Sequence, residues 1–424
     1  MTGQPTLPRT LGLTDAVAIG LGSMIGAGIF ASFAPAAAAA GAGLLIGLAI
    51  AAVVAVCNAT SSAQLAAQYP TSGGSYIYGR QQLSHWAGFL AGWSFVIGKT
   101  ASCAAMALTF ATYAAPPVYA KPVAVAAILT LAAVNYFGVT RTAGLTKIIV
   151  IVVLVVLAVT VFIGLTGPKF APTSFGSNLF GQGLYGILQS AGLLFFAFAG
   201  YARIATMGEE VTEPKRTIPR AIVTALSIIL AIYAIVAVTV LLVIGPEKLA
   251  TSTAPLVELV TASGQSWAIP LVRVGAATAA LGALLALIAG VGRTSLAMAR
   301  HRDLPRFFAA VHPRYGVPHH AEIALAVVVS ILVVTVDLRS AIGFSSFGVL
   351  LYYLIANLSA LTQKPENRRY PRIVQLLGIA GCSVLVVTLP LAAIATGVLV
   401  LIVGIIYRTV RTHRFDISAP PSSD

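Results

Sequence analysis

Uninterrupted apolar runs constrain this chain more than any other feature of its sequence. The run at 221–246 contains no Asp, Glu, Lys or Arg, and several other runs are similarly free of charge. A helix needs about 20 apolar residues to cross a bilayer, whereas a spanning barrel strand has about 10. Only 9% of the 424 residues are charged, which is too few to coat a soluble domain. The sequence therefore predicts an all-α integral membrane protein.

The apolar runs predict twelve transmembrane helices joined by short connections. The first two predicted spans are 11–35 and 37–68, and the last two meet at a hinge near Leu389 and Pro390. The predicted organisation is an N-terminal tail at 1–10, five helices at 11–166, five more at 181–363, two peripheral helices at 371–407 and a C-terminal tail at 408–424.

The basic residues are concentrated in alternate connections between the predicted spans. Cytoplasmic connections carry an excess of Lys and Arg, so we expect both termini in the cytoplasm and the chain in the cell (inner) membrane. The same bias explains the net charge of +14, and no basic segment is interleaved with aromatics as in a nucleic-acid interface. Cys57, Cys103 and Cys382 lie in separate apolar runs without metal-ligand spacing, so no metal or cofactor is expected.

Two predicted spans contain helix-breaking sequences. In the first, four glycines fall within nine residues: Gly20, Gly22, Gly26 and Gly28. They favour either a break or close helix packing, because glycine weakens a helix and a GxxxG step permits close approach. The sixth span has Gly200 near its middle, among aromatic residues. Breaks at matching places in two five-helix halves are typical of an inverted repeat with a binding site at the membrane midplane.

A broken helix exposes unpaired backbone groups at both stumps. The N–H end carries partial positive charge and suits a carboxylate, whereas the C=O end suits an ammonium group. A zwitterion fits both ends without any charged side chain. The pair of breaks therefore indicates an amino-acid site.

Four motifs in order resemble the amino acid–polyamine–organocation (APC) superfamily. They are GSMIGAGIF at 22–30, SGGSYIYGR at 72–80, FFAFAGYARIATMGEEVTEPKRTIPRAI at 195–222 and RTSLAMARHRDLPRFFAAVHPRYGVPHHA at 293–321. The resemblance covers about residues 11–365. It implies the five-plus-five inverted repeat shared with the sodium-coupled leucine transporter, two further C-terminal helices, and an amino-acid permease.

The resemblance also assigns roles to individual residues. Backbone N–H groups of Gly26, Ala27 and Gly28 would hold the substrate carboxylate. Carbonyls near Ser23 and Met24, and near Phe196, Ala197 and Ala199, would take the amine. Phe196 would in addition close over the substrate as a gate. Two positions depart from the family: Val153 stands where many members have a lysine, and Ala202 where an acid is frequent.

Three cations fall within predicted spans. Lys99 lies deep in the third span, where a buried lysine can change charge during transport, so it is a candidate for proton coupling. The alternative is a structural lysine that snorkels or bonds a carbonyl. Arg203 is a candidate for the inner gate, with snorkelling or pairing with an acid as the alternative. Arg293 is interpreted in the same way, as snorkelling or paired with an acid.

The predicted function is alternating-access transport of a small, neutral amino acid, with H⁺ as a candidate coupling ion and lipid as the only other partner. A polyamine or other organic-cation permease of the same superfamily is the alternative. A non-transporting amino-acid sensor is a remote one, since it would need a signalling extension. We expect no enzyme, because no nucleophile–base set or pair of intramembrane acids is present.

Overall fold

The computed structural model describes residues 10–71, 73–137, 143–168, 179–205, 207 and 210–416. Most of the predicted N-terminal tail and the end of the C-terminal tail lie outside these residues. The α-helices are α1 Leu13–Ala31, α2 Phe33–Ala40, α3 Leu44–Gln68, α4 Ser75–Gln82, α5 His85–Ala114, α6 Ala120–Tyr136, α7 Ala143–Thr166, α8 Gly183–Phe198, α9 Ala202–Ala205, α10 Pro214–Thr251, α11 Pro255–Ala262, α12 Ile269–Arg300, α13 His319–Thr335, α14 Leu338–Leu361, α15 Arg372–Thr388 and α16 Leu391–Asp416.

The outer surface of the helix bundle is apolar. Ile151 on α7, Val327 on α13 and Leu399 on α16 are each more than half exposed. Within the described residues, 10 helical segments are long and apolar enough to cross a membrane, and α13 and α15 are apolar but shorter. The prediction of an all-α integral membrane protein is confirmed.

The first span ends later than the sequence predicted. Ser32 keeps helical geometry, and the amide of Ala36 bonds its carbonyl, so α2 continues α1. Gly28 lies against Ala197 of α8 and the Ala39 carbonyl lies against Gly186, so this segment runs antiparallel to α8.

The chain reverses at the three residues Gly41–Gly43. After them Gly47 lies against Ser190, so α3 runs parallel to α8. Gly41 has φ +58°, a conformation that glycine adopts without a steric penalty. The boundary expected near residue 36 was wrong because the alanine run up to Ala40 continues the helix.

Asp303, in the connection after α12, joins α4 and α16 directly and α5 through Arg408. Its carboxylate accepts hydrogen bonds from Tyr76 of α4 at 2.7 Å, from Arg80 at 2.9 Å and from Arg408 of α16. Arg408 also lies over the Trp86 ring of α5. Burial, and then the negative charge of Asp303, raise the pKa of the Tyr76 phenol, which keeps it a hydrogen-bond donor. We call these five residues the Asp303 cluster.

Candidate functional site

The predicted interruption of the first span lies at Gly26. Its φ of −35° and ψ of −136° are not helical, although helix continues on both sides. The side chains of Met106 on α5 and Ala283 on α12 fill the space beside Gly26, where a Cβ would overlap them. The amides that follow the break therefore begin a second helical stretch and face α5.

The sixth span is interrupted at the predicted place. Helix α8 ends at Phe198, a 3-10 turn covers Ala199–Tyr201, and α9 resumes at Ala202. The last carbonyls of α8 do not continue into an unbroken α-helix, and that of Phe196 accepts from the Ala199 amide in the 3-10 turn. They form the negative end of the α8 dipole.

The two interruptions lie against each other. A Cβ on Gly200 would overlap the backbone of Ser23 and Met24, and a Cβ on Gly28 would overlap Ala197. The backbones of α1 and the α8–α9 turn are thus in direct contact, which only glycine permits at these positions. Four of the eight predicted substrate residues make this contact directly, namely Ser23, Met24, Gly28 and Ala197. Gly26 and Ala27 lie between the contacting residues of α1, and Ala199 lies in the 3-10 turn.

Tyr233 of α10 connects the two broken helices. Its hydroxyl lies 2.6 Å from the carbonyl oxygen of Met24 and 3.0 Å from that of Ala197. The side chain is 1% exposed. One buried hydroxyl, with its single proton, therefore lies between a carbonyl at each break and is shared by the two. This role could not be predicted, because a tyrosine in an apolar span has no local signature.

Lys99 of α5 reaches the same region. Its ammonium group donates to the carbonyl oxygen of Ala199 at 3.0 Å, and Tyr353 of α14 approaches that oxygen at 3.4 Å. Only 5% of the lysine is exposed. The cation therefore lies at the carbonyl end of α8, where the helix dipole favours positive charge.

Met106 lies at the amide end of the first break. Its Sδ accepts a hydrogen bond from the Ala27 amide at 2.9 Å. A thioether is a weak acceptor on a flexible side chain. The Ala27 amide, which was predicted to bind a carboxylate, is thus bonded to the Met106 thioether. A stronger acceptor can displace this thioether.

A cavity of about 70 Å³ lies beside the two breaks. It is lined by Ser23, Lys99, Ala199 and Arg203 among the predicted residues, and by Ala202, one of the two family departures. Met24, Gly26, Ala27, Gly28, Phe196 and Ala197 do not line it. Phe196 is 5% exposed and packed in the core, so its gate role stays a prediction. Val153, the other departure, is 1% exposed.

One end of the cavity carries an ion triad. Glu210 accepts from Arg293 of α12 at 2.9 Å and pairs with Arg203 of α9 at 3.7 Å. Both arginines line the cavity. The amides of Thr10 and Leu11 also bond the Glu210 carbonyl at 3.1 Å, which joins the start of α1 to the segment after α9. This triad links the two broken helices to α12 at one end.

A larger cavity, about 950 Å³, lies between α5, α13 and α16. Its lining is mostly apolar and includes Val328, which is 47% exposed on the outer surface. It does not adjoin either helix break. We therefore take the smaller cavity as the candidate functional site.

The sequence profile of the family described as "Amino acid permease" matches residues 11–412. The chain belongs to the amino acid permease family. It is accordingly an APC-type transporter and an integral membrane protein, and the resemblance found in its motifs is confirmed.

Individual relatives differ in their named substrates. An uncharacterized transporter of Mycobacterium tuberculosis is 59% identical over 400 residues, which are 94% of this permease and 90% of that protein. "Branched-chain amino acid permease BcaP" of Bacillus subtilis is 24% identical over 96% of this chain and 93% of its own. "Cationic amino acid transporter 4, vacuolar" of Arabidopsis thaliana is 28% identical over 83% of this chain and 62% of its own.

Replacing Tyr233 by phenylalanine should destabilise the permease. The substitution keeps the ring but leaves the Met24 and Ala197 carbonyls without their donor, and an unsatisfied buried acceptor costs about 1–3 kcal/mol. We expect a lower midpoint of thermal unfolding in detergent. Tyr185→Phe is the matched control, because Tyr185 is 59% exposed. Equal midpoints for both variants would contradict the assigned role.

Proposed function

We propose that this permease carries a small, neutral amino acid by alternating access. The observation that carries the proposal is the direct contact of two broken helices beside a cavity. This contact brings the amide end of one break close to the carbonyl end of the other. A zwitterion needs both within the length of one small molecule.

The side chains that contact the two breaks stand where the carboxylate and the amine of such a substrate would bind. Met106 accepts from the Ala27 amide where a carboxylate would bind, and Lys99 donates to the Ala199 carbonyl where an amine would bind. A carboxylate is the stronger acceptor, so it would displace the thioether. We infer that substrate binding replaces one or both of these internal contacts.

The charge of the cavity supports a neutral substrate over a polyamine or a cationic amino acid. Among the described residues, its lining includes Lys99, Arg203 and Arg293 and no acid. Glu210 lies at one end and is shared between two arginines. A cationic substrate would meet net repulsion there.

We further propose that H⁺ is coupled to transport through Lys99. The protonated amine bonds the Ala199 carbonyl, whereas the neutral amine would be a weaker donor and would release it. Because an incoming substrate amine needs that carbonyl, loss of the lysine proton and binding of substrate would be linked.

The remaining topological proposals follow from the sequence. We place both termini in the cytoplasm and the protein in the cell (inner) membrane, which puts the Arg203–Glu210–Arg293 triad at the inner gate. The two groups of five helices, 11–166 and 181–363, would form the inverted halves. Their rocking about the breaks would open the cavity to each side in turn.

Transport in proteoliposomes tests the proposed function. Purified protein is reconstituted, and uptake of radiolabelled alanine, leucine, lysine and putrescine is measured with and without an outward proton gradient, because substrate that displaces the Lys99 proton would enter in exchange for H⁺. We expect saturable uptake of a neutral amino acid that the gradient increases. Empty liposomes give the background.

Two outcomes would contradict parts of the proposal. Uptake of putrescine but of no amino acid would favour the polyamine permease. Uptake of an amino acid that ignores the gradient would keep the permease assignment and remove proton coupling.

A further inference from the structure

Glu322 is a buried acid that the proposed transport steps do not use. It lies in the first turn of α13 and is 3% exposed. Its Oε2 has no hydrogen-bond partner among the described residues. A buried, ionised carboxylate with an unpaired oxygen is strongly disfavoured, so the arrangement suits a protonated carboxyl group.

The side chain of Glu322 lies directly against α12 next to the ion triad. A Cβ on Gly292 would lie 3.0 Å from Glu322 Cγ and 3.4 Å from Oε1. The following residue is Arg293, which lines the cavity and donates to Glu210 at 2.9 Å. Glu322 therefore packs one residue along α12 from the arginine that pairs with Glu210, and the charge of that arginine acts on it.

We propose that Glu322 is a proton-binding site that competes with Glu210 for Arg293. With the proton bound, Glu322 is neutral and Arg293 stays on Glu210, as in this structure. Without it, a buried carboxylate beside the guanidinium draws Arg293 away. Glu210 then keeps its pairing with Arg203, at 3.7 Å. Loss of the proton loosens the triad, and uptake of a proton restores it.

Other titratable groups pack around the start of α13. His319 lies one turn before Glu322, and its ring is 4.2 Å from His320, 5.3 Å from His312 and 6.1 Å from Tyr136 of α6. Arg306 and Arg314 lie in the preceding connection. None of these side chains has a hydrogen bond or ion pair to Glu322 in the structure described.

The charged groups of the neighbouring helices are directed elsewhere. On α6, Lys121 donates to the carbonyl of Val334 at the far end of α13, at 2.6 Å. On α5, Lys99 donates to Ala199. Arg293 is thus the cation placed to respond to Glu322, with His319 the second group to be tested.

This inference rests on the proposed function only in treating the triad as a gate, so its test does not need a transported substrate. A cysteine is placed in the cavity as Gly290→Cys, where an added Cβ meets no heavy atom within 4 Å. The native cysteines are buried. The rate of labelling by a membrane-impermeant thiol reagent is then measured in proteoliposomes across about pH 5 to 9, the range of a buried carboxyl.

Each labelling rate is divided by the rate of the same protein carrying Glu322→Gln, a variant that mimics the protonated acid. The pH dependence of the reagent itself is the same for both proteins and cancels in this ratio. We expect the ratio to rise with pH by at least about fivefold, the lower end of ordinary coupling between sites. Glu366→Gln, an exposed acid in a connection, and His319→Gln should leave that rise in place. Glu322→Asp should retain it, which guards against a misfolded Gln variant.

Identical pH dependence in the Glu322→Gln and Glu366→Gln proteins would overturn the proposal. So would a rise that disappears in His319→Gln and persists in Glu322→Gln, because the titrating group would then be the histidine. Since labelling needs no substrate, either result is separate from the failure of amino-acid transport.

Discussion

Replacing Lys99 by methionine is expected to abolish the stimulation of uptake by a proton gradient. Methionine fills a similar volume but carries no donor, so the Ala199 carbonyl loses the bond at 3.0 Å. A charge-assisted hydrogen bond contributes about 1.5–3 kcal/mol, which corresponds to roughly 10–150-fold in an equilibrium. Gradient-driven uptake should fall by at least about tenfold, while exchange of substrate across equal pH should persist.

The matched control is Lys147→Met. Lys147 is also within a spanning helix, but it is 40% exposed and pairs with Asp15 at 2.7 Å, away from the breaks. This variant should keep the gradient dependence. If Lys99→Met folds and responds to the gradient like the parent protein, Lys99 is a structural lysine that bonds a carbonyl, and the coupling group must be sought elsewhere.

Replacing Gly200 by alanine should impair both stability and transport. The added Cβ would overlap the carbonyl group of Ser23 and the amide of Met24, which are backbone atoms and cannot rotate aside. Overpacking of this kind costs about 1–3 kcal/mol and can cost more. We expect a lower midpoint of thermal unfolding and, because α1 and α8 are pushed apart at the breaks, loss of most uptake.

Gly290→Ala provides the comparison. Gly290 is also a helical glycine at the cavity, but its added Cβ meets nothing within 4 Å, and alanine favours a helix by about 1 kcal/mol over glycine. Its unfolding midpoint should equal or exceed that of the parent. Parent-like stability and uptake in Gly200→Ala would mean that the close approach of the broken helices is not required.

The helix interruptions could be predicted from the sequence because glycine has a local cost in a helix. The first span contains four glycines within nine residues, and the sixth contains Gly200 among aromatic residues. These positions predict the two breaks to within a residue or two of Gly26 and Ala199. The turn at Gly41–Gly43 also had a local signal in its two glycines. It was missed because the preceding alanines were assigned to the second span.

The partners of the breaks could not be predicted, because they come from helices distant in sequence. Met106 and Tyr233 lie in spans that are apolar on every face, because each face contacts either lipid or other helices. No periodicity in the sequence therefore identifies the face that packs against a broken helix. The sequence did not distinguish Glu322 either, since an acid in a first helical turn is ordinarily a surface residue. Its burial against Gly292 exists only after α12 and α13 have packed.

The Asp303 cluster bears on which parts of the molecule can move. It connects α4, α5, the connection after α12 and α16 through charged bonds and a guanidinium lying over an aromatic ring. Moving α4 or α16 away would break the bonds of Asp303, which is only 6% exposed, and moving α5 away would break the contact of Arg408 with Trp86. We therefore expect α4, α5, α16 and the connection after α12 to move together as a single rigid unit.

That unit includes α5, the helix that carries Lys99 and Met106. A displacement of α16, far from the cavity in sequence, would be transmitted directly to the two side chains that contact the breaks. Helix α16 is thus expected to move with α5, and lipids or neighbouring proteins that press on its exposed face would act on the centre of the protein.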